Sequence, residues 1–346
     1  MSFLKQSDLL IGVAASGVTD SDLAIPDLKT KVRMVKESGV FDFLDRSPPD
    51  DEFSDLLRAS DEYAVPVLAS TWYYTTGRDE PLFERNILKG RLLATEIHAV
   101  QLATNHADGH ILSDEEVAEI YLRFYDFAHR HDVTMSFEVH VNMWSEHFGR
   151  VAAVADLVQR RGVPFALTLD HSHVIFKIDN PAEQRVQGMH AEIQSGTLIL
   201  EPDRPGNVIQ QWIDAGLVWH CHARSTAPCN PVNVSAKHPD GRYGRGIQYP
   251  FKPTLSDQWH YPWRAEDLEP WKAVMRNLMR WRTKHLESRW HTITCEFIPA
   301  IDYGAGAKYS IFEQNIACAE WLRKEWALAV REPDGSIGSS TLHSHP

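Results

Sequence analysis

VTMSFEVHVN, residues 133–142, decides the fold. Val133, Met135, Phe137, Val139 and Val141 are apolar, and Thr134, Ser136, Glu138, His140 and Asn142 between them are polar. Successive side chains on a strand point to opposite faces, so the stretch reads as a strand with one greasy face and one polar face. Strands of an open parallel sheet are covered on both sides and usually read as unbroken apolar runs. A strand that is polar on one side, with its charge late in the run, fits the wall of a closed barrel. The greasy face is then covered by helices and the polar face looks inward.

The same pattern recurs downstream. At 163–172, Val163, Phe165, Leu167 and Leu169 oppose Ala166, Thr168, Asp170 and Ser172. At 217–224, Leu217, Trp219, Cys221 and Ala223 oppose His220, His222 and Arg224. At 291–298, Ile293, Cys295 and Phe297 oppose Thr292, Thr294 and Glu296. Four weaker strand signals precede these, at 9–15, 39–44, 66–72 and 98–104. Helical spacing fills the gaps, as at 50–64, 114–131, 146–161, 266–288 and 308–329, and Ser113–Glu116 carries a capping-box signature. Strands alternating with helices imply right-handed βαβ units and a parallel sheet. Eight of them predict an α/β fold, a (β/α)8 TIM barrel; an open doubly wound sheet is the rival arrangement.

Residues 1–332 are therefore expected to form a single barrel, with insertions after strands 6 and 7. The first insertion spans 172–215. The second, about 223–265, is rich in proline and glycine but carries Tyr243, Tyr249, Phe251, Trp259, Tyr261 and Trp263. Long loops in compact domains are usually functional or disordered, and this one is too aromatic for disorder. It is expected to act as a lid or an interaction surface. The tail, PDGSIGSSTLHSHP at 333–346, reads as unstructured.

Composition excludes several classes. A formal net charge of -12 without a dense Lys/Arg cluster argues against nucleic acid. Cys221, Cys229, Cys295 and Cys318 form no C-x-x-C pair, so neither a thiolate zinc site nor a redox dithiol is expected. The opening MSFLKQSDLLIGV lacks the parts of a signal peptide and no apolar run reaches membrane-spanning length, so a cytoplasmic location and no membrane partner are expected.

Glu138, Asp170, His222 and Glu296 fall at the ends of the inward faces of four successive strands. In a closed barrel those ends converge. Three carboxylates brought together repel one another and are costly to desolvate, and a divalent cation relieves both problems. Oxygen donors with one imidazole favour Mn2+ or Mg2+, with Co2+ and Zn2+ compatible. By spacing alone, His220 serves as the imidazole donor as well as His222 does.

At this point the sequence resembles the xylose isomerase-like TIM barrels, in particular their sugar isomerase and epimerase branch, which is related to endonuclease IV. The resemblance covers roughly residues 8–330. It rests on Phe137-Glu138-Val139-His140, Asp170-His171-Ser172-His173, His220-Cys221-His222 and Thr294-Cys295-Glu296-Phe297. It implies one metal ion held by Glu138, Asp170, His222 (the second His of its motif) and Glu296. It implies that Glu138 and Glu296 flank the substrate as the catalytic acid–base pair, working through an enediolate next to a carbonyl. His173 would bind the substrate. Arg224 is expected to anchor a substrate oxygen, with His140, Glu146 and His106 as looser substrate-binding candidates. The partner implied is a small carbohydrate; a homo-oligomer or a helper subunit is compatible.

The leading expectation is thus an isomerase or epimerase of a sugar or sugar-derived keto compound. The alternative is a lyase, dehydratase or deglycosidase that uses the same proton removal for β-elimination from an oxidised sugar or glycoside. An endonuclease IV-like phosphodiesterase is disfavoured, because the third strand offers no histidine and no Asp-x-His follows the seventh. A barrel without catalysis is disfavoured because all four donors are present.

Overall fold

The computed structural model describes residues 4–5, 8–20, 25–229 and 232–331. Expected strand 133–140 is realised as β5, Thr134–Glu138, and stands in a closed parallel barrel with seven others. These are β1 (Leu10–Ala14), β2 (Phe43–Asp45), β3 (Ala69–Tyr74), β4 (Ile97–Leu102), β6 (Leu167–Leu169), β7 (Val218–Ala223) and β10 (Thr292–Cys295). Each falls on or beside an expected strand, and the order around the barrel is β1-β10-β7-β6-β5-β4-β3-β2. The tail expected at 333–346 lies outside the described residues.

Helices follow the strands. The main ones are α1 (Leu28–Ser38), α2 (Phe53–Tyr63), α3 (Glu80–Leu92), α4 (Asp114–Arg130) and α5 (Gly149–Gln159). After β6 come four short helices, α6 (Ser172–Ile175), α7 (Pro181–Val186), α8 (His190–Ser195) and α9 (Val208–Asp214). The chain closes with α10 (Glu269–Lys284) and α11 (Ile311–Arg331). Local chemistry sets the helix ends. Ser113 and Glu116 form the capping box that starts α4. Asp27 caps α1 through the Thr30 N–H, and Gly39 ends it in the left-handed conformation at φ 65°.

The alternation sorts the two faces. Phe137, Leu167, Cys221, Ile293 and Cys295 face the helices, in a core shared with Tyr121, Phe165, Trp212 and Trp271. The inner face is a polar ladder. Ser136 and Thr168 hydroxyls meet at 2.6 Å, His220 Nδ1 meets Thr292 Oγ1 at 2.8 Å, and Thr294 donates to Asp45 at 3.0 Å. The amino-terminal end is plugged by Phe43 against Ala69 and Ile97. The plug demands Gly12, since a Cβ there would lie 2.2 Å from the Phe43 ring. Burying side chains that pair with one another costs little; burying them unpaired would be expensive.

The segment expected as a lid, about 223–265, holds an antiparallel pair, β8 (Asn233–Lys237) with β9 (Tyr243–Gly244), which the sequence reading did not anticipate. Tyr249 is buried, Phe251 meets Trp271 edge-on at 6.0 Å, and Trp263 donates to the Pro250 carbonyl at 2.8 Å. Tyr243 and Tyr261 are exposed.

A buried charge cluster ties this segment to the barrel. Arg245, just past β9, reaches Asn142 Oδ1 at 3.2 Å and Glu146 Oε1 at 2.7 Å, and also pairs with Glu183. Lys177 donates to Glu146 Oε1 at 2.8 Å and lies 3.3 Å from Glu183 Oε2. Glu146 and Lys177 are fully buried. Two cations thus face two carboxylates, which is what makes such burial tolerable. Glu146, expected among the looser substrate contacts, has its oxygens taken up by Lys177, Arg245 and the Asn142 N–H. We read it as a clamp.

Burial alone would raise the Glu146 carboxyl, but Lys177 and Arg245 overcome it and hold the group at about 2. A carboxylate held below its unfolded value stabilises the fold fully above that unfolded value. The contribution is lost as pH falls through the folded one. Glu146→Gln is therefore expected to cost about 3–5 kcal/mol near neutral pH, because it leaves two buried cations short of a partner. In urea unfolding the gap between wild type and variant should narrow as pH falls from about 4.5 to about 2; a pH-independent gap would refute the charge clamp.

Candidate metal centre

The inward faces of the last four barrel strands deliver their charges to one place. Glu138 is the last residue of β5, Asp170 follows β6, His222 lies near the end of β7, and Glu296 follows β10. Parallel register sets Glu138 beside Thr168 and His222 beside Thr294, so the strand ends stay level. One donor atom from each of the four lies within 4.8 Å of the others. The Glu138, Asp170 and His222 side chains are fully buried, and Glu296 keeps 13% exposure.

The contacts are specific to each oxygen. His222 Nδ1 stands 3.0 Å from Glu138 Oε1 and 3.3 Å from Glu296 Oε2. Gln101 donates to Glu138 Oε2 at 3.0 Å. Arg224 Nη2 bridges Asp170 Oδ2 and Glu296 Oε2, the latter at 2.7 Å. Ser172 hydrogen-bonds Asp170 Oδ1 through both its hydroxyl and its N–H. His220 is accounted for elsewhere: its ring nitrogens meet Thr292 and Thr294 hydroxyls at 2.8 and 3.2 Å. The geometry therefore turns His222 Nδ1, and not His220, toward the carboxylates.

Electrostatics keeps Asp170 and Glu296 ionised. For Asp170, burial raises the carboxyl, but Arg224 and His173 outweigh it and hold the group well below the usual range. For Glu296, burial is again opposed, by His222 and Arg224, and the group sits at about 2. Burial pushes the His222 imidazole down, yet Glu296 and Glu138 hold it well above its ordinary value. Three carboxylates thus share one guanidinium and one imidazolium. Exchange of the imidazole proton for a divalent cation would add one positive charge to the cluster and leave His222 in its neutral, metal-binding form. Two further observations fit a ligand here. Arg224 Nε and Nη1 are buried without a hydrogen-bond partner. His173 lies 3.1 Å from Asp170 Oδ2, yet neither of its ring nitrogens has an aligned partner.

The other expected residues divide into two groups. His173, Arg224 and His140 line the same centre. The His140 and His173 rings are 4.2 Å apart, and the Arg224 guanidinium lies 4.2 Å over the Tyr303 ring. His140 Nδ1 donates to the Val141 carbonyl at 2.6 Å, which leaves Nε2 to accept from the Tyr303 hydroxyl at 3.2 Å. Glu146 sits in the clamp described above, and His106 sits in a surface turn with Asp108 and His110. His171 was not expected in the site and faces away, its ring stacked on Trp271 at 5.0 Å.

Sequence reading missed Asp45, Gln101 and Tyr303. Asp45 ends β2, a strand of three residues whose alternation is too short to register. Its Oδ2 lies 3.6 Å from His222 Nε2 and accepts from Thr294 at 3.0 Å. That places a carboxylate behind the imidazole, the usual way of orienting a metal-ligating histidine. Tyr303 comes from the loop after β10, with no periodicity to betray it. A cavity of about 330 Å3 opens beside the centre, lined by Asp45, Arg46, Trp72, Tyr73, Gln101 and Glu296 among others.

No protein-family model and no curated protein matches this chain. Solved structures do match. A D-allulose 3-epimerase from Methylomonas sp. has a TM-score of 0.52 at 13% identity, covering 94% of this chain and 100% of that one. An IolI protein with a bound zinc atom has 0.53 at 14%, covering 95% and 100%. A xylose isomerase-like TIM barrel protein from Mycobacterium smegmatis in complex with magnesium has 0.53 at 11%, covering 94% and 99%. At these identities the likeness is one of fold: the structural neighbours are xylose isomerase-like barrels, sugar epimerases among them.

Asp45→Asn tests the orienting carboxylate. It is expected to lower the affinity for added Mn2+ by about 10–100-fold while thermal unfolding stays cooperative; unchanged affinity would remove Asp45 from the centre.

Proposed function

We propose that this chain is a divalent-metal-dependent isomerase or epimerase of a sugar or sugar-derived keto compound, working by proton removal next to a carbonyl. The observation that carries this reading is the meeting of Glu138, Asp170, His222 and Glu296 within 4.8 Å at the carboxyl end of the barrel. That is the end where barrels of this kind keep their chemistry. The sugar epimerase, zinc-bound and magnesium-bound neighbours support a carbohydrate substrate and a divalent ion. The oxygen-rich donor set favours Mn2+ or Mg2+, with Co2+ and Zn2+ compatible.

When bound, the cation would supply Lewis-acid polarisation of a substrate carbonyl. The rest falls to the chain's own side chains. Glu138 and Glu296 stand on strands separated by β6 and β7, so a carbon seated between them meets a carboxylate on each side. One carboxylate takes the proton next to the carbonyl and the other, having picked up a proton from water, returns one to the carbon, after which the first releases its proton to water. Arg224 has two unpartnered nitrogens to offer a substrate oxygen, and His173 offers a third donor beside it. The Tyr303 hydroxyl fixes the His140 ring, which in turn packs against His173. Trp72 and Tyr73 give the cavity an aromatic wall, and such walls suit the apolar face of a sugar ring. A leaving group on the next carbon would turn the same proton removal into β-elimination, so a substrate panel separates isomerase from lyase.

Elemental analysis of the protein reconstituted with Mn2+ alone is expected to find about one equivalent of manganese, retained after the tail is trimmed and lost in His222→Ala. In D2O, NMR should then show deuterium entering a keto sugar next to its carbonyl. Glu138→Gln and Glu296→Gln should each slow that exchange by about 10²–10⁴-fold. No metal after reconstitution, or exchange unaffected by both substitutions, would overturn the reading; loss of a substituent in place of exchange would redirect it to a lyase.

A further inference from the structure

The loop after β4 carries a second set of metal-ligand types that the centre above does not use. Its sequence is Asn105-His106-Ala107-Asp108-Gly109-His110-Ile111. It folds as a tight hairpin, with an antiparallel bridge between Asn105 and Ile111. His106 N–H donates to the His110 carbonyl at 2.9 Å, and Gly109 N–H donates to the His106 carbonyl at 2.9 Å. Gly109 sits at φ +97°, where a side chain would be strained, so the turn depends on it.

The fold-back stacks the two imidazoles with ring centroids 4.9 Å apart. Asp108 at the tip bends back to both rings. Its Oδ1 lies 2.6 Å from His110 Nδ1 and 3.1 Å from His106 Nδ1. One donor from each of the three lies within 4.8 Å of the others. The far nitrogen of His110, Nε2, is held at 3.0 Å by Glu116 Oε1. Glu116 is itself fixed, because its Oε2 accepts from the Ser113 N–H at 2.8 Å in the α4 capping box. A carboxylate behind an imidazole, anchored on a helix start, is the arrangement that orients a ligating histidine.

We propose that His106, Asp108 and His110 form a second divalent-cation site at the barrel mouth, taking an imidazole-preferring ion of the zinc class, with Glu116 as positioning residue. Its donor chemistry separates it from the buried centre. Two imidazoles and one carboxylate suit zinc, nickel or copper, whereas three carboxylates and one imidazole suit manganese or magnesium. Three protein donors on a partly exposed turn leave coordination positions open to water or another ligand. Binding displaces the proton now shared between His110 Nδ1 and Asp108 Oδ1, and the ion takes its place. Without metal, the same contacts amount to an imidazolium held between Asp108 and Glu116, and that is the arrangement the test must exclude.

The test uses the full chain carrying His222→Ala, which removes the imidazole of the buried centre, together with His343→Ala and His345→Ala in the tail. Zn2+ is titrated against a competing chromophoric chelator. This background is expected to retain one zinc equivalent. Adding His110→Ala or Asp108→Asn should weaken it at least about tenfold, and Glu116→Gln by about 10–100-fold. His106→Gln serves as an independent check, and the melting temperature of each variant confirms folding. No zinc equivalent in the background, or one whose affinity is the same in His110→Ala and Asp108→Asn, would overturn the site. The result is distinguishable from that of the isomerase reading, since the zinc affinity is read through His110→Ala and Asp108→Asn on the turn, whereas the deuterium exchange is read through Glu138→Gln and Glu296→Gln in the buried centre.

Discussion

Three carboxyl side chains with donor atoms within 4.8 Å of one another, in a place nearly closed to water, are the constraint around which this molecule is organised. Left alone they would repel strongly and take up protons. The structure answers with Arg224, whose guanidinium bridges Asp170 and Glu296, and with His222, whose imidazole faces Glu138 and Glu296. Each donor then needs its own support. Gln101 holds Glu138, Ser172 holds Asp170, and Asp45 stands behind His222. Below them the polar ladder pairs its own groups, Ser136 with Thr168 and His220 with Thr292, and touches the centre through Thr294 and Asp45, while the amino-terminal plug of Phe43 and Gly12 closes the other end.

The same rule, that charge is buried only in company, shapes the rim. Glu146 and Glu183 face Lys177 and Arg245, and this clamp ties the segment after β9 to the loops after β5 and β6. A segment fastened by buried ion pairs is positioned, and so can form a wall above the mouth. The hairpin at 105–111 differs. It is partly exposed, it gathers two imidazoles around one carboxylate, and a helix cap orients it. Donor composition is what separates the two clusters chemically.

Much of this was legible in the sequence because a strand's period of two writes its inner and outer faces directly into the chain. Alternation at 133–142, 163–172, 217–224 and 291–298 places Glu138, Asp170, His222 and Glu296 on inward faces. Residues on short or irregular elements left no such mark. Asp45 closes a strand of three residues, Tyr303 sits in a loop, and Gln101 is the one polar residue on its face of β4, beside Ile97 and Ala99. Glu146 and His106 were visible as chemistry, but their companions Lys177, Arg245 and His110 are set by loop conformation.

The sequence by itself determined the eight strands, their two-faced character, the barrel they close into and the four inward side chains gathered at its carboxyl end, because those follow from local periodicity repeated in register. It also determined where α4 begins, since a capping box is complete within four residues. Only the tertiary structure decided which histidine turns toward the carboxylates, which cation balances them, which carboxylate backs His222, and that Glu146 is a clamp. Those outcomes depend on pairs far apart in the chain, such as Arg224 with Glu296 or Glu146 with Arg245. Their distances are fixed by barrel closure and loop packing, which no local pattern encodes.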